Sequence, residues 1–223
     1  KKGFKIIGID NNYRKVFFGK DGDISWLRSK LKKELKNYKH FNTDIRNFIN
    51  LKKIFKKYQK NISLVIHAAA QPSHDWAKNK VFIDFDINAK GTLNLLELTR
   101  LYCPEAPFIF MSTNKVYGDN PNLLPLIEKK TRWEIKGNHK FKSGIDESMA
   151  IDNCTHSFFG ASKSYADIIV QEYGKNIGLK TACFRAGCIT GPKHSGAKLH
   201  GFLSYLVKTS LQSKKYFLID YKG

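Results

Sequence analysis

Cysteine is scarce in this chain, and the four that occur, Cys103, Cys154, Cys183 and Cys188, form no CxxC pair. No histidine cluster joins them at ligand spacing, so neither a zinc site nor a disulfide framework is indicated, and no metal is expected. Isolated buried thiols in a reducing cytoplasm are the expectation. Long apolar runs are missing too. None approaches the roughly 20 residues that a helix needs to cross a bilayer, and no signal-peptide pattern stands at the start. The chain opens Lys1-Lys2-Gly3 instead of with Met, and it ends on Phe217-Leu218-Ile219-Asp220, a strand-like run, so sequence is expected to precede and follow it. Acids are in short supply: 19 Asp and Glu stand against 39 Lys and Arg, a formal charge of +20.

Much of that basic excess lies on two segments, with Lys30, Lys32, Lys33 and Lys36 in one and Lys52, Lys53, Lys56, Lys57 and Lys60 in the other. Each is threaded through apolar positions such as Leu27, Leu31 and Leu35, or Leu51, Ile54 and Phe55. This is the pattern of an amphipathic helix with a solvated lysine face. Zinc-finger spacing, paired RNA-binding aromatics and a recognition-helix pattern are all absent, so a dedicated nucleic-acid partner is not expected.

With 42% hydrophobic and 26% charged residues among 223, the composition is that of a soluble globular domain. Short apolar runs alternate with helical patterns along it. Strands are expected at Phe4 to Asp10, His40 to Asn42, Ser63 to His67, Phe108 to Met111 and Thr181 to Phe184. Helices are expected near 24–38, 47–58, 84–102, 162–177 and 201–209, and a polar insertion over 119–154. The βαβα rhythm and the nearly all-apolar run Leu64-Val65-Ile66 predict an α/β, Rossmann-type doubly wound parallel sheet. The nucleotide-binding domain is expected over 1–186 and the start of a second, ligand-binding lobe over 187–223.

An acid at the end of the first strand, Asp10, sits where a Rossmann second strand delivers its ribose-binding carboxylate. A glycine-rich phosphate loop belongs about 20 residues before such an acid, so the first strand and that loop are expected to lie upstream. After the strand ending at His67, Ala68-Ala69-Ala70-Gln71 lets a ligand approach the backbone closely. Asn88 and Gly91 oppose helix propensity and suggest a binding or close-packing reason. Met111-Ser112-Thr113-Asn114-Lys115-Val116-Tyr117-Gly118-Asp119 follows a central strand, and Phe159 and Lys163 share a helical face four residues apart.

These segments resemble the extended short-chain dehydrogenase/reductase family, and within it the CDP-tyvelose (CDP-paratose) 2-epimerases. Ala70-Gln71-Pro72-Ser73-His74-Asp75, Asn88-Ala89-Lys90-Gly91-Thr92-Leu93-Asn94-Leu95-Leu96-Glu97 and Ser112-Thr113-Asn114-Lys115-Val116-Tyr117-Gly118-Asp119 carry the likeness, with Gly144-Ile145-Asp146-Glu147 and Gly187-Cys188-Ile189-Thr190-Gly191-Pro192. The resemblance implies an NAD-dependent epimerase of a nucleotide-activated deoxyhexose, working at C2 through a transient keto sugar. It further implies a CDP-linked substrate and a homo-oligomer. Asp10, Asn11, Asp44, Ile45, Ala68, Ala69, Ala70, Asn88 and Lys163 are then placed around NAD. Gln71, Ser73, His74, Asn114 and Arg185 are placed around the substrate, and Thr113 is the catalytic hydroxyl. The related dehydratases carry an Asp-Glu pair where this chain has Asn114-Lys115, which argues against water elimination.

The resemblance also puts a catalytic tyrosine at the position of Phe159, where no hydroxyl exists. Losing a positioned acid–base group costs about 10²- to 10⁴-fold. An engineered trap, a natural site with another group in its place, and a protein that binds without turnover are the three explanations. Tyr117 and His156 are the nearest tempting substitutes, and neither has the four-residue relation to Lys163. Another NAD-dependent nucleotide-sugar epimerase or reductase is the rival reading.

Overall fold

The computed structural model describes residues 3–198 and 200–216. The strand expected at Phe217 to Asp220 lies outside these residues.

Five parallel strands make the framework. β1 (Ile6–Ile9) pairs with β2 (Tyr38–Phe41) in register Ile6 to Tyr38. β3 (Val65–His67), β4 (Phe108–Thr113) and β7 (Thr181–Ala186) form a second parallel sheet in the order β3-β4-β7. Among the described residues no ladder joins β1 to β3. The remaining strands, β5 (Leu126–Glu128) and β6 (Trp133–Ile135), pair as an antiparallel hairpin inside the polar insertion.

The helices follow the strands in the manner of βαβ units. α1 (Arg14–Phe18) and α2 (Ser25–Glu34) lie between β1 and β2, and α3 (Phe48–Tyr58) between β2 and β3. α4 (His74–Asn79), α5 (Val81–Phe85) and α6 (Gly91–Tyr102) follow β3, with a π-helical turn at Asp86–Lys90 running into α6. α7 (Phe158–Ile177) precedes β7, and α8 (Phe202–Leu211) is the last described helix. Polar side chains start three of them. Asn47, Ser73 and Ser157 each accept a backbone N–H of the first turn of α3, α4 and α7, which satisfies donors that the helix itself leaves orphaned.

α3, α6 and α7 pack side by side over one face of the β3-β4-β7 sheet. Leu51 and Phe55 of α3, Leu95 and Leu98 of α6 and Val170 and Tyr173 of α7 bury there with Phe108 and Phe110 of β4. Burial alternates strictly along β4, as a strand with one covered face requires. Gly91 is needed at the start of α6 because a Cβ there would stand 2.5 Å from the Ile45 side chain. The insertion keeps its own small core, in which Phe141 and Met149 close over Val116 and Tyr117.

The expected order of elements holds, with shifts at the edges. The first loop holds α1, and the helix expected from 24 to 38 stops at Glu34, because Tyr38 and Lys39 are drawn into β2. Helix α7 begins four residues earlier than expected because Ser157 caps it. The long helix expected over 84–102 starts at Val81 and is broken by the π turn around Asn88.

Candidate active site

The carboxyl ends of β1, β3 and β4 carry the candidate residues, and each is placed by a local device. Asp10 directly follows β1, is exposed, and accepts the Asn12 N–H on Oδ1, a two-residue turn that fixes the carboxylate. Asn11 donates to Asp44 Oδ2 at 2.8 Å, and Arg46 grips both oxygens of the same carboxylate. Burial pushes Asp44 up, but the hydrogen bonds from Arg46 and Asn11 outweigh it and hold the group below the usual carboxylate range. Ile45 is buried in the core against α6. After β3, Ala68 and Ala69 are exposed and Ala70 half-buried, so backbone lies open at this edge of the sheet.

Behind that edge is a closed polar network centred on Asn88. Its Oδ1 accepts the Gln71 N–H at 2.9 Å, and its Nδ2 lies 3.1 Å from the Gln71 carbonyl, from Asp84 Oδ1 and from Ser162 Oγ. Gln71 also donates to Asp84 and accepts the Ser73 N–H. All five of these residues are buried. One asparagine therefore ties the turn after β3, the π segment and helix α7 together, and the π turn sets it facing all three. His67 belongs to the same interior. Thr92 Oγ1 donates to the Asn88 carbonyl, so it accepts from His67 Nε2, which therefore carries a ring proton, while Nδ1 is buried with no partner among the described residues. Burial, with the Lys163 charge adding to it, pulls His67 down to about 3.

Thr113 closes β4, half-buried, and its hydroxyl accepts the Lys115 N–H at 3.2 Å while Asn114 and Lys115 stay exposed. Phe159 and Lys163 sit one turn apart on α7, both buried. Gly160 lets α7 approach this turn, because a Cβ there would meet the Lys115 carbonyl oxygen at 3.1 Å. The Lys163 ammonium donates to the Met111 carbonyl at 2.8 Å and lies 4.0 Å from the centre of the Phe110 ring. Its burial lowers it to about 8, against opposing pulls from Asp167, Cys183 and Asp84. Lys163 is thus brought to the β4 strand that ends in Thr113.

Arg185 of β7 forms a buried pair with Asp167 of α7, Nη2 to Oδ1 at 2.8 Å. Ser112 and Gln171 complete the coordination of that carboxylate. Arg185 Nη1 also donates to the Tyr117 hydroxyl at 3.2 Å. Among the residues expected around the substrate, the structure sets Gln71, Ser73 and Arg185 in buried networks and leaves His74 and Asn114 exposed. Sequence reasoning missed Asp84, Ser162 and Asp167. The signal was present for each, since a Ser or Asp on the buried stripe of a helix needs a partner.

Residues 1–221 of the chain match the model of the NAD dependent epimerase/dehydratase family. The chain belongs to that family. It is 32% identical over 213 residues to CDP-paratose 2-epimerase of Salmonella typhi, covering 96% of this chain and 58% of that protein. It is 34% identical over 193 residues to UDP-glucuronate 4-epimerase of Thermodesulfobacterium geofontis, covering 86% and 50%. The chain thus spans about half the length of these relatives. The fold is shared with UDP-glucose 4-epimerase of Thermus thermophilus in complex with NAD, with a TM-score of 0.65 at 21% identity over 94% of this chain and 64% of the other. A dTDP-glucose 4,6-dehydratase of Bacillus anthracis, also with NAD, gives 0.62 at 21% identity over 96% and 55%. Family membership accounts for the parallel Rossmann-type sheet.

Proposed function

We propose that the protein is an NAD-dependent epimerase that inverts C2 of a nucleotide-linked deoxyhexose, with a CDP-linked sugar as substrate. One observation carries the reading: Thr113 ends β4 beside helix α7 with Lys163 and position 159, in a chain 32% identical to a CDP-paratose 2-epimerase across 96% of its length. Asn114 and Lys115 stand where a dehydratase has its acid pair, which supports epimerisation over water elimination.

The residues present suit a dinucleotide. An exposed carboxylate at the end of β1 matches ribose hydroxyls, and the uncovered backbone of Ala68 and Ala69 leaves room for a phosphate chain at the sheet edge. When bound, NAD supplies a hydride acceptor that returns the same hydride. Asp10 would hold the adenosine ribose, and Lys163 the nicotinamide ribose. Thr113 would orient the sugar hydroxyl, and the Asn88 network would keep α7 and the turn after β3 in register. The two faces of a keto sugar then decide the outcome, since inversion requires the sugar to present its other face before reduction.

Incubating the full protein with NAD and CDP-paratose, followed by product analysis, tests the proposal. Conversion to the C2 epimer, with no net change in NAD, is the expected result. Inversion at C4 instead points to a different nucleotide-sugar epimerase. Phe159 favours a second reading, in which the protein binds NAD and a nucleotide sugar without turnover; tight binding of both with an unchanged sugar is its signature.

A further inference from the structure

The Phe159 ring has no proton to move, yet the fold sets an imidazole directly against it. His74, the first residue of α4, meets that ring edge-on with centroids 4.9 Å apart. Phe159 is buried and His74 exposed, so the histidine is the outer, solvent-reached member of the two. The other acid–base groups near the end of β4 are engaged. The Tyr117 hydroxyl donates to the Asp146 carbonyl and accepts from Arg185. The His156 ring bonds the Val116 carbonyl, His67 is enclosed with Thr92, and Lys163 is turned to Met111. Among the described residues, no hydrogen bond engages the His74 ring. The charges facing it are Lys115, from the turn after β4, and Asp75, its neighbour on α4.

We propose that His74 exchanges the proton that a tyrosine at position 159 would exchange, making a histidine–phenylalanine pair the acid–base unit of this site. The proposal rests on the epimerase reading above. As the sugar C2 hydride leaves for the oxidised dinucleotide, the hydroxyl proton passes to the neutral imidazole of His74, giving ketone, reduced dinucleotide and imidazolium. The return half-reaction reverses each transfer on the opposite face, so no further oxidant or base is consumed. An imidazole is suited to this work near neutral pH. Partial burial, with Lys115 adding to it and Asp75 opposing, lowers its pKa from the ordinary value, which favours the neutral form that accepts the proton. Phe159 then serves as the packing wall that orients the ring.

Four forms of the full protein test this: unaltered, His74→Gln, Phe159→Tyr and the double variant. His74→Gln is expected to lower kcat by about 10²-fold or more with the nucleotide-sugar KM changed less than threefold. The acid limb of the kcat profile should disappear with it, and Phe159→Tyr should restore turnover in the double variant. A readout independent of turnover is the NMR titration of the His74 ring without NAD. It should move when CDP-paratose is added and stay in place with CDP alone. Unchanged kcat in His74→Gln, or a ring titration indifferent to the sugar, overturns the assignment while leaving the epimerase reading intact. Failure of every form, Phe159→Tyr included, to bind NAD or epimerise any nucleotide sugar overturns that reading and His74 with it.

Discussion

Lys163 holds its charge inside the protein, where burial lowers its pKa to about 8 from 10.5. Between those values the unfolded chain binds a proton that the folded chain does not, so stability rises with pH across this window. Below pH 8 the buried ammonium costs up to about 3 kcal/mol, partly offset by the Met111 carbonyl and the Phe110 ring. Lys163→Met is therefore expected to lose NAD binding while melting no lower than the unaltered protein at pH 7. The difference between the two should shrink as pH is raised toward 10. A Lys163→Met variant several degrees less stable at pH 7 contradicts this account. His67 works at the other end of the scale. Its folded pKa is pulled from 6.5 to about 3, so the unfolded state takes up the extra proton, and stability present above 6.5 is lost as pH falls toward 3. His200, lowered to about 4 by burial beside Arg14, acts in the same window. The unfolding free energy from denaturant titration should decline below pH 6.5 by up to about 1.4 kcal/mol per pH unit for each histidine, and His67→Gln should remove one such contribution.

At the scale of elements, the Asn88 network decides how α7 meets the turn after β3. Asn88→Ala leaves the Gln71 N–H and carbonyl, Asp84 and Ser162 without one partner each in a buried space. A loss of about 3 kcal/mol or more is expected, read as a lower melting temperature, with weaker NAD binding because α7 carries Lys163. A fully folded Asn88→Ala protein with unchanged melting would show that the network adds nothing. Which elements form was largely readable from the chain: the strands over Phe4 to Asp10, Ser63 to His67 and Phe108 to Met111, and the helices with lysine faces, follow from hydrophobic period, with the fourth strand running two residues further to Thr113. The π turn was not. Nothing in Asp86-Ile87-Asn88-Ala89-Lys90 forbids an ordinary helix, and the turn exists because Asn88 reaches Gln71, Asp84 and Ser162 together. Nor was α4 legible, being only six residues long and dependent on the Ser73 cap.

For the whole molecule, the sheet is covered unevenly. Helices α3, α6 and α7 bury Phe108 and Phe110, whereas Ile66 and Phe184 are 61% and 52% exposed. Register puts Ile66, Ile109 and Ala182 abreast on the opposite face, with Met111 and Phe184 beyond them. In the 223-residue chain taken alone, this face and the unjoined edges of β1 and β3 are expected to bind a hydrophobic dye and to broaden the thermal transition. Ile66→Thr and Phe184→Thr should reduce dye binding while changing stability by less than about 0.5 kcal/mol each, because neither side chain is packed. A loss above roughly 2 kcal/mol in either variant means that the face is covered in solution.

Sequence alone determined the parallel α/β architecture, the lysine-faced helices and the positions of Asp10, Thr113 and Lys163 at strand ends or on α7. Those properties depend on local period and on which residue types close a strand or cap a helix, and both are written in short windows of the chain. Tertiary structure alone decided what each polar side chain meets. Arg185 and Asp167 are 18 residues apart and pair only because β7 lies beside β4 under α7. The partner of Phe159 was settled the same way. Tyr117 and His156 are the substitutes the chain suggests, but backbone carbonyls and Arg185 engage them, and the imidazole that reaches the ring is His74, 85 residues before Phe159. Packing of α4 against α7 brings them together, and no spacing rule within one element encodes a contact between two.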